Sequence, residues 1–296
     1  MSKEKIELNK QSQKDSTGEY FSLRTDYWDE VYNKNSENDG FTMHEMRKRK
    51  DIVFNLLENK LNGASLKVLD VGCGAGHYMK EMIDYGFDAY GVDISKQMVE
   101  VAKSNVKNDE NIEANVLCSD CEFLPFPDNY FDIITCIGVL EYNSDEVGVL
   151  KELKRVTKDN GYIIFTLPNL LKLRNVLDAY YYIIRFWKYL KVKFTGRYFT
   201  SKPVSVHSEY SQNTNFTNSR YTFNQLKKII QKSELVDVDI KGFGYGPFRI
   251  WRKEIVPKHL SVRLSIFFEK LQTLKRFRFL NSFANRWVIC SQIKNN

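Results

Sequence analysis

The stretch VLDVGCGAG, Val68 to Gly76, decides the fold. An apolar run ends in an aspartate, and Gly72, Gly74 and Gly76 then alternate with single residues. A strand running through such a turn into a helix lays backbone N–H groups around a ligand with no Cβ atoms in the way. Alone, that implies a nucleotide-like ligand. The spacing Asp70-x-Gly72-x-Gly74-x-Gly76 is not the G-x-G-x-x-G of dinucleotide sites, and a carboxylate on the strand repels a pyrophosphate. It favours a ligand that is positive at that end.

On either side of this turn, strands alternate with helices. Glu45 to Lys60 has Ile52, Val53, Leu56 and Leu57 on one face, which predicts a helix. Strands are expected at 66–71, 88–92, 112–117, 130–137 and 162–167. Helices are expected at 77–85, after a cap at Ser95, and at 145–157. The rhythm breaks after Pro168 for about fifty residues. It resumes at Thr222, where Thr222 and Gln225 form a capping box for a helix over 223–232. Two more apolar runs, 236–240 and 287–293, complete seven strands. Alternation at these intervals means βαβ units, hence a doubly wound α/β sheet.

Two further acids stand where the first does, at strand ends. Asp93 closes the second strand about twenty residues beyond Gly72, the position from which a carboxylate accepts ribose hydroxyls. Asp120 follows the third strand, with the backbone N–H of Cys121 beside it to serve an adenine ring nitrogen. S-adenosylmethionine fits this set, having an ammonium, a sulfonium and no phosphate.

VLDVGCGAG (68–76), GVDIS (91–95), SDCEFLPFPDNYFDIITCIGVLEY (119–142) and LKRVTKDNGYIIFTLPN (153–169) together resemble the class I S-adenosylmethionine-dependent methyltransferases. The likeness is close over residues 48–169 and looser through 221–240 and the last strand. It implies a Rossmann-like seven-stranded sheet with the last strand antiparallel, and helical insertions forming a cap. It also implies that Asp70, Gly72, Gly74, Gly76, Asp93, Ile94, Asp120, Cys121 and Ile137 hold the cofactor. Within the superfamily the chain is most similar to enzymes of quinone biosynthesis and to small-molecule enzymes of glycan and natural-product pathways. The helix RKRKDIVFNLL (47–57) resembles the one whose arginine meets the cofactor carboxylate there, which points to Arg49. Many members carry Glu-His where this chain has Glu141-Tyr142, so an imidazole base is missing.

Methyl transfer from an activated sulfonium chiefly requires alignment and exclusion of water; a base is needed only for an acceptor that does not ionise readily. Spacing therefore assigns no catalytic residue. The candidates are His207, Tyr142, Glu209 and His44. The expected acceptor is a small or lipid-linked molecule, methylated on oxygen or nitrogen. A protein or RNA methyltransferase and a catalytically idle cofactor-fold scaffold are the alternatives.

The charge of +7 is unevenly placed. Residues 170–203 hold eight Lys/Arg against one Asp, and 249–286 ten against two Glu, leaving an acidic remainder. These segments fall in the two expected insertions, about 169–221 and 246–286. Leu170 to Leu190 reads as an amphipathic helix, and LSVRLSIFFEKLQTLKRF (260–277) as another. Both suit a cap, either a lid whose apolar face packs on the domain or one that also rests on an anionic membrane surface; no nucleic-acid module is recognisable. Residues 1–20 are polar and are expected to form a flexible tail, with 21–296 as one domain. No apolar run is long enough to span a bilayer. Five cysteines without framework spacing suit a reducing cytoplasm, and the lone Cys118-x-x-Cys121 lacks the further ligands of a zinc site, so no metal is expected.

Overall fold

The computed structural model describes residues 3–26, 41–60, 66–106, 115–173, 183, 219–250 and 253–294. Its elements in chain order begin with α1 (Lys3–Ser22), α2 (Phe41–Lys60), β1 (Lys67–Val71), α3 (His77–Asp84) and β2 (Asp88–Asp93). There follow α4 (Lys96–Val106), β3 (Asn115–Cys118), β4 (Phe131–Cys136), a 3-10 turn (Leu140–Tyr142), α5 (Glu146–Val156) and β5 (Thr157–Pro168). The last part holds α6 (Phe223–Lys232), β6 (Val236–Phe243), a short hairpin, α7 (Lys258–Leu271), a 3-10 segment (Lys275–Phe283) and β7 (Arg286–Gln292).

The strands form one seven-stranded sheet in the order β3-β2-β1-β4-β5-β7-β6. β3 to β5 pair in parallel, and β7 runs antiparallel to both its neighbours. Its central strands are apolar almost throughout because both faces are covered. On one face Val149, Leu150 and Leu153 of α5 and Leu226 of α6 pack against Ile134, Phe165 and Trp287. On the other, Val53 and Leu57 of α2, Met79 and Met82 of α3 and Ala102 of α4 meet Val68, Ile133 and Val288. The helix ends follow the sequence signals. Asp145 caps α5 by accepting from the Gly148 N–H, and the Thr222–Gln225 capping box opens α6.

Two expectations differ from the structure. Residues 3–22, expected to belong to a flexible tail, form the twenty-residue helix α1, which lies against the α4 side of the sheet's carboxyl edge. Side-chain bonds hold it, with the Ser22 and Ser95 hydroxyls 2.8 Å apart and Gln13 Nε2 donating to the Tyr142 carbonyl at 2.8 Å. The helix expected at 260–277 ends at Leu271, where Gln272 turns aside to donate to the Gly242 carbonyl. Its buried positions are Ser261, Ser265 and Glu269, while Phe267 and Leu274 of the apolar set face outward. The amphipathic reading of 170–190 lies outside the described residues except at its first turn and Ile183.

The foot of the first insertion meets the end of the second. The Leu170 N–H donates to the Tyr221 carbonyl at 2.7 Å, so the first insertion leaves and returns at the end of β5. Asn169 beside it donates from its backbone N–H to Asn285 and from its side chain to Ser282 and Ala284, which lead into β7.

Candidate active site

Parallel register brings the three acids into line. Asp70 lies opposite Gly91 and Thr135, and Asp93 opposite Cys118, with Asp120 just beyond β3. All three stand at the carboxyl edge of the sheet, where open α/β folds hold their ligands. The glycine turn crosses that edge. A Cβ on Gly72 would come within 2.1 Å of Val139 Cγ2, so the loop after β4 packs directly on the turn. Gly74, at φ +53°, has open space where its Cβ would be. That is the side on which a ligand fits against bare backbone.

Each acid is used differently. Asp70 is buried and accepts from the Thr135 hydroxyl at 2.7 Å. Burial pushes its carboxyl up to about 7, the Thr135 bond and Arg49 opposing and the Asp93 charge assisting. Asp93 accepts from the Gly74 N–H and the Ser95 N–H, both at 2.9 Å. Burial raises its pKa too, and those backbone bonds pull the other way. Asp120 accepts from the Glu122 N–H at 2.9 Å and from Lys14 of α1 at 2.5 Å. A carboxylate offers about four lone-pair directions, so Asp93 and Asp120 each keep acceptor capacity. Glu122 Oε1 is buried with no hydrogen-bond partner.

The other expected residues fall around these. Arg49 of α2 is buried, its Nη1 3.4 Å from where a Cβ on Gly138 would stand, and its charge is felt by Asp70, Tyr142 and Arg286. Ile94 packs beside Gly18 of α1, and Ile137 packs on the β4 side. Cys121 accepts from Asn143 Nδ2 at 3.4 Å, and burial pushes its thiol up to about 12. Cys118 and Cys121 are both free thiols.

Of the base candidates, Tyr142 sits at this edge, edge-on to Phe21 of α1, and burial raises its phenol far above the ordinary range. A phenol with its pKa raised in this way keeps its proton and is not available as a base. His44 stands elsewhere, in the α2–α7 seam with Nε2 4.0 Å from Glu269 Oε1; burial lowers its pKa, and Glu269 acts in the opposite direction. His207 and Glu209 lie outside the described residues.

Sequence reasoning missed a buried ion pair here. Glu141, only 1% exposed, accepts from Arg286 Nη1 at 2.8 Å, and its other oxygen has no hydrogen-bond partner. The Ser219 N–H, at the foot of the first insertion, donates to the Glu141 carbonyl. Glu141 was visible as part of the strand-four motif. Nothing in the sequence marks Arg286 as its partner, and nothing marks Lys14 or Glu122.

Residues 69–165 match the family model described as a methyltransferase domain. The chain is 29% identical over 193 residues to the ubiquinone biosynthesis O-methyltransferase of Coxiella burnetii, covering 65% of this chain and 73% of that one. It is 28% identical over 183 residues to the demethylmenaquinone methyltransferase of a Geobacillus species, covering 61% and 75%. The fold is similar to that of magnesium protoporphyrin IX methyltransferase from Synechocystis PCC 6803, solved with bound SAH. That likeness has a TM-score of 0.56 at 15% identity and covers 96% of this chain and 100% of that one.

Proposed function

We propose that this chain, a class I S-adenosylmethionine-dependent methyltransferase by its matched domain and fold, methylates oxygen or nitrogen of a small or lipid-linked acceptor. The observation that carries the reading is the row of Asp70, Asp93 and Asp120 at one sheet edge, with open space over Gly74. The residues fit the cofactor. Asp70 suits its ammonium, Arg49 its carboxylate, Asp93 the ribose hydroxyls, and Asp120 with the unpartnered Glu122 Oε1 the adenine amine. The cofactor supplies a methyl group already activated by positive sulfur. The chain's part is to bind, align and keep water out. Quinone-pathway relatives support a small acceptor.

Asp70 makes cofactor binding depend on pH. Its carboxyl is protonated below about 7 in the free protein, and an ammonium needs the ionised form. A raised folded-state pKa means the empty protein loses stability as pH climbs from the ordinary carboxylate range through 7, and no further above it. Cofactor affinity runs the other way: it grows over that window and levels off above 7. Calorimetry with S-adenosylhomocysteine should give binding about tenfold weaker at pH 6 than at pH 8, and Asp70→Asn should flatten the profile.

An apolar and basic surface supports a lipid setting for the acceptor. Phe267, Leu274 and Phe279 are 56%, 55% and 59% exposed, and Arg263, Lys270, Lys275, Arg276 and Arg278 lie among them. Each such charge contributes about 1 kcal/mol near an anionic leaflet. Among the described residues no helix is long and apolar enough to cross a membrane.

One experiment tests substrate and setting together. Methyl-labelled cofactor is incubated with the protein and cell extract, with phosphatidylglycerol vesicles present. Label is expected in small or lipid-soluble product, with the protein sedimenting on the vesicles in low salt and releasing as salt is raised. Label confined to precipitated protein or RNA would favour a macromolecular acceptor. Intact cofactor binding with no transfer in any fraction would favour the idle scaffold.

A further inference from the structure

We infer that helix α1 completes the cofactor site, and that Lys14 positions its adenine end by bridging Asp120 and Glu122; this rests on the S-adenosylmethionine reading above. Lys14 Nζ lies 2.5 Å from Asp120 Oδ2 and 2.9 Å from Glu122 Oε2. Burial works against the ammonium, but the hydrogen bonds and charges of the two acids outweigh it and raise its pKa. Lys14 therefore stays charged throughout the physiological range.

The two carboxylates are close in sequence and share this one cation. Without Lys14 they would repel each other, and Glu122, whose Oε1 is already buried and unpartnered, would turn outward. With it, Asp120 Oδ2 and Glu122 Oε2 are held to α1, Asp120 Oδ1 accepts from the Glu122 N–H, and Glu122 Oε1 is left as the unpartnered acceptor for a neutral amine donor. Lys14 acts on the ligand through these acids, so it is a positioning residue.

The rest of α1 touches the other parts of the same edge. Gly18 lies against Ile94, and a Cβ there would stand 3.9 Å from it. The Ser22 hydroxyl meets that of Ser95, next to the ribose acid. Gln13 donates to the Tyr142 carbonyl, and the Phe21 ring packs edge-on to the Tyr142 ring at 5.3 Å. One helix thus contacts the loops after β2 and β3, which carry Asp93 and Asp120, and the 3-10 turn. A ligand lying along those two loops is covered by it, and leaves only when α1 lifts.

The test uses the full chain and S-adenosylhomocysteine. Hydrogen exchange should slow on binding in residues 13–22 as well as in 72–76. Release measured by stopped flow should be about tenfold faster in Lys14→Ala, equivalent to about 1.4 kcal/mol, and within about threefold of wild type in Lys14→Arg, which keeps the bridge. A helix that merely stabilised the fold would lower the melting temperature in Lys14→Ala and leave the release rate alone. Protection of 72–76 without 13–22, or release from Lys14→Ala at the wild-type rate, would overturn the inference and leave the cofactor reading standing. Absence of any binding by wild type would remove both.

Discussion

Asp93→Ala is expected to weaken S-adenosylhomocysteine binding by at least about a hundredfold, from a micromolar wild-type affinity of about −7 to −8 kcal/mol. A hydrogen bond to a charged group contributes about 1.5–3 kcal/mol, and the variant loses the carboxylate proposed to accept from both ribose hydroxyls. It also unties the turn, because the Gly74 N–H is left without the carboxylate that holds it. The fold should survive, since Ser95 Oγ still caps α4 by accepting from the Met98 N–H at 3.2 Å. Asp93→Asn keeps one acceptor oxygen and should fall between the two. Calorimetry decides it: Asp93→Ala within threefold of wild type would take the ribose away from this residue.

The second large effect is on stability. Arg286→Ala leaves the Glu141 carboxylate buried with neither oxygen paired, and breaking such a pair from one side costs about 3–5 kcal/mol. Urea unfolding should show that loss. Replacing both partners with apolar residues of similar size, Glu141→Leu with Arg286→Met, should recover most of it, because no charge is then stranded. A single-variant loss below about 1 kcal/mol would mean that water reaches Glu141 as it does an exposed pair.

The same two residues show what a sequence reveals and what it hides. The acids at 70, 93 and 120 were legible because each ends an apolar run and the runs repeat at regular intervals. Periodicity and turn chemistry are local, and so is their signal. The pairing of Glu141 with Arg286 depends on β7 lying between β5 and β6, a fact of topology that no window of residues contains. Helix α1 was hidden for another reason. It docks through Gln13, Lys14, Ser22 and the Phe21 ring and shows no apolar stripe, so hydrophobic patterning read it as a tail. In α7 the pattern showed only part of the inner face. Phe268 and Leu271 pack against Tyr245 as the apolar spacing predicts, but Ser265 and Glu269 also turn inward, accepting from the Tyr245 and Gly244 N–H groups, and Phe267 is left outside.

The position of β7 also orders events during synthesis. The strand that completes the sheet between β5 and β6 is the last of the seven to be made, and Arg286 is its first residue. Glu141 leaves the ribosome about 145 residues earlier, which at 5–20 residues per second is an interval on the order of ten seconds. From the completion of β5 at Pro168 until the end of that interval, β5 presents an open edge, Trp287 is not yet there to fill the core, and Arg286 is not yet there to pair with Glu141. The glycine turn and its acids, all made by residue 120, can form during this time. The closing of the sheet around Glu141 cannot, so the residues proposed to hold the cofactor are in place well before the sheet beside them is complete.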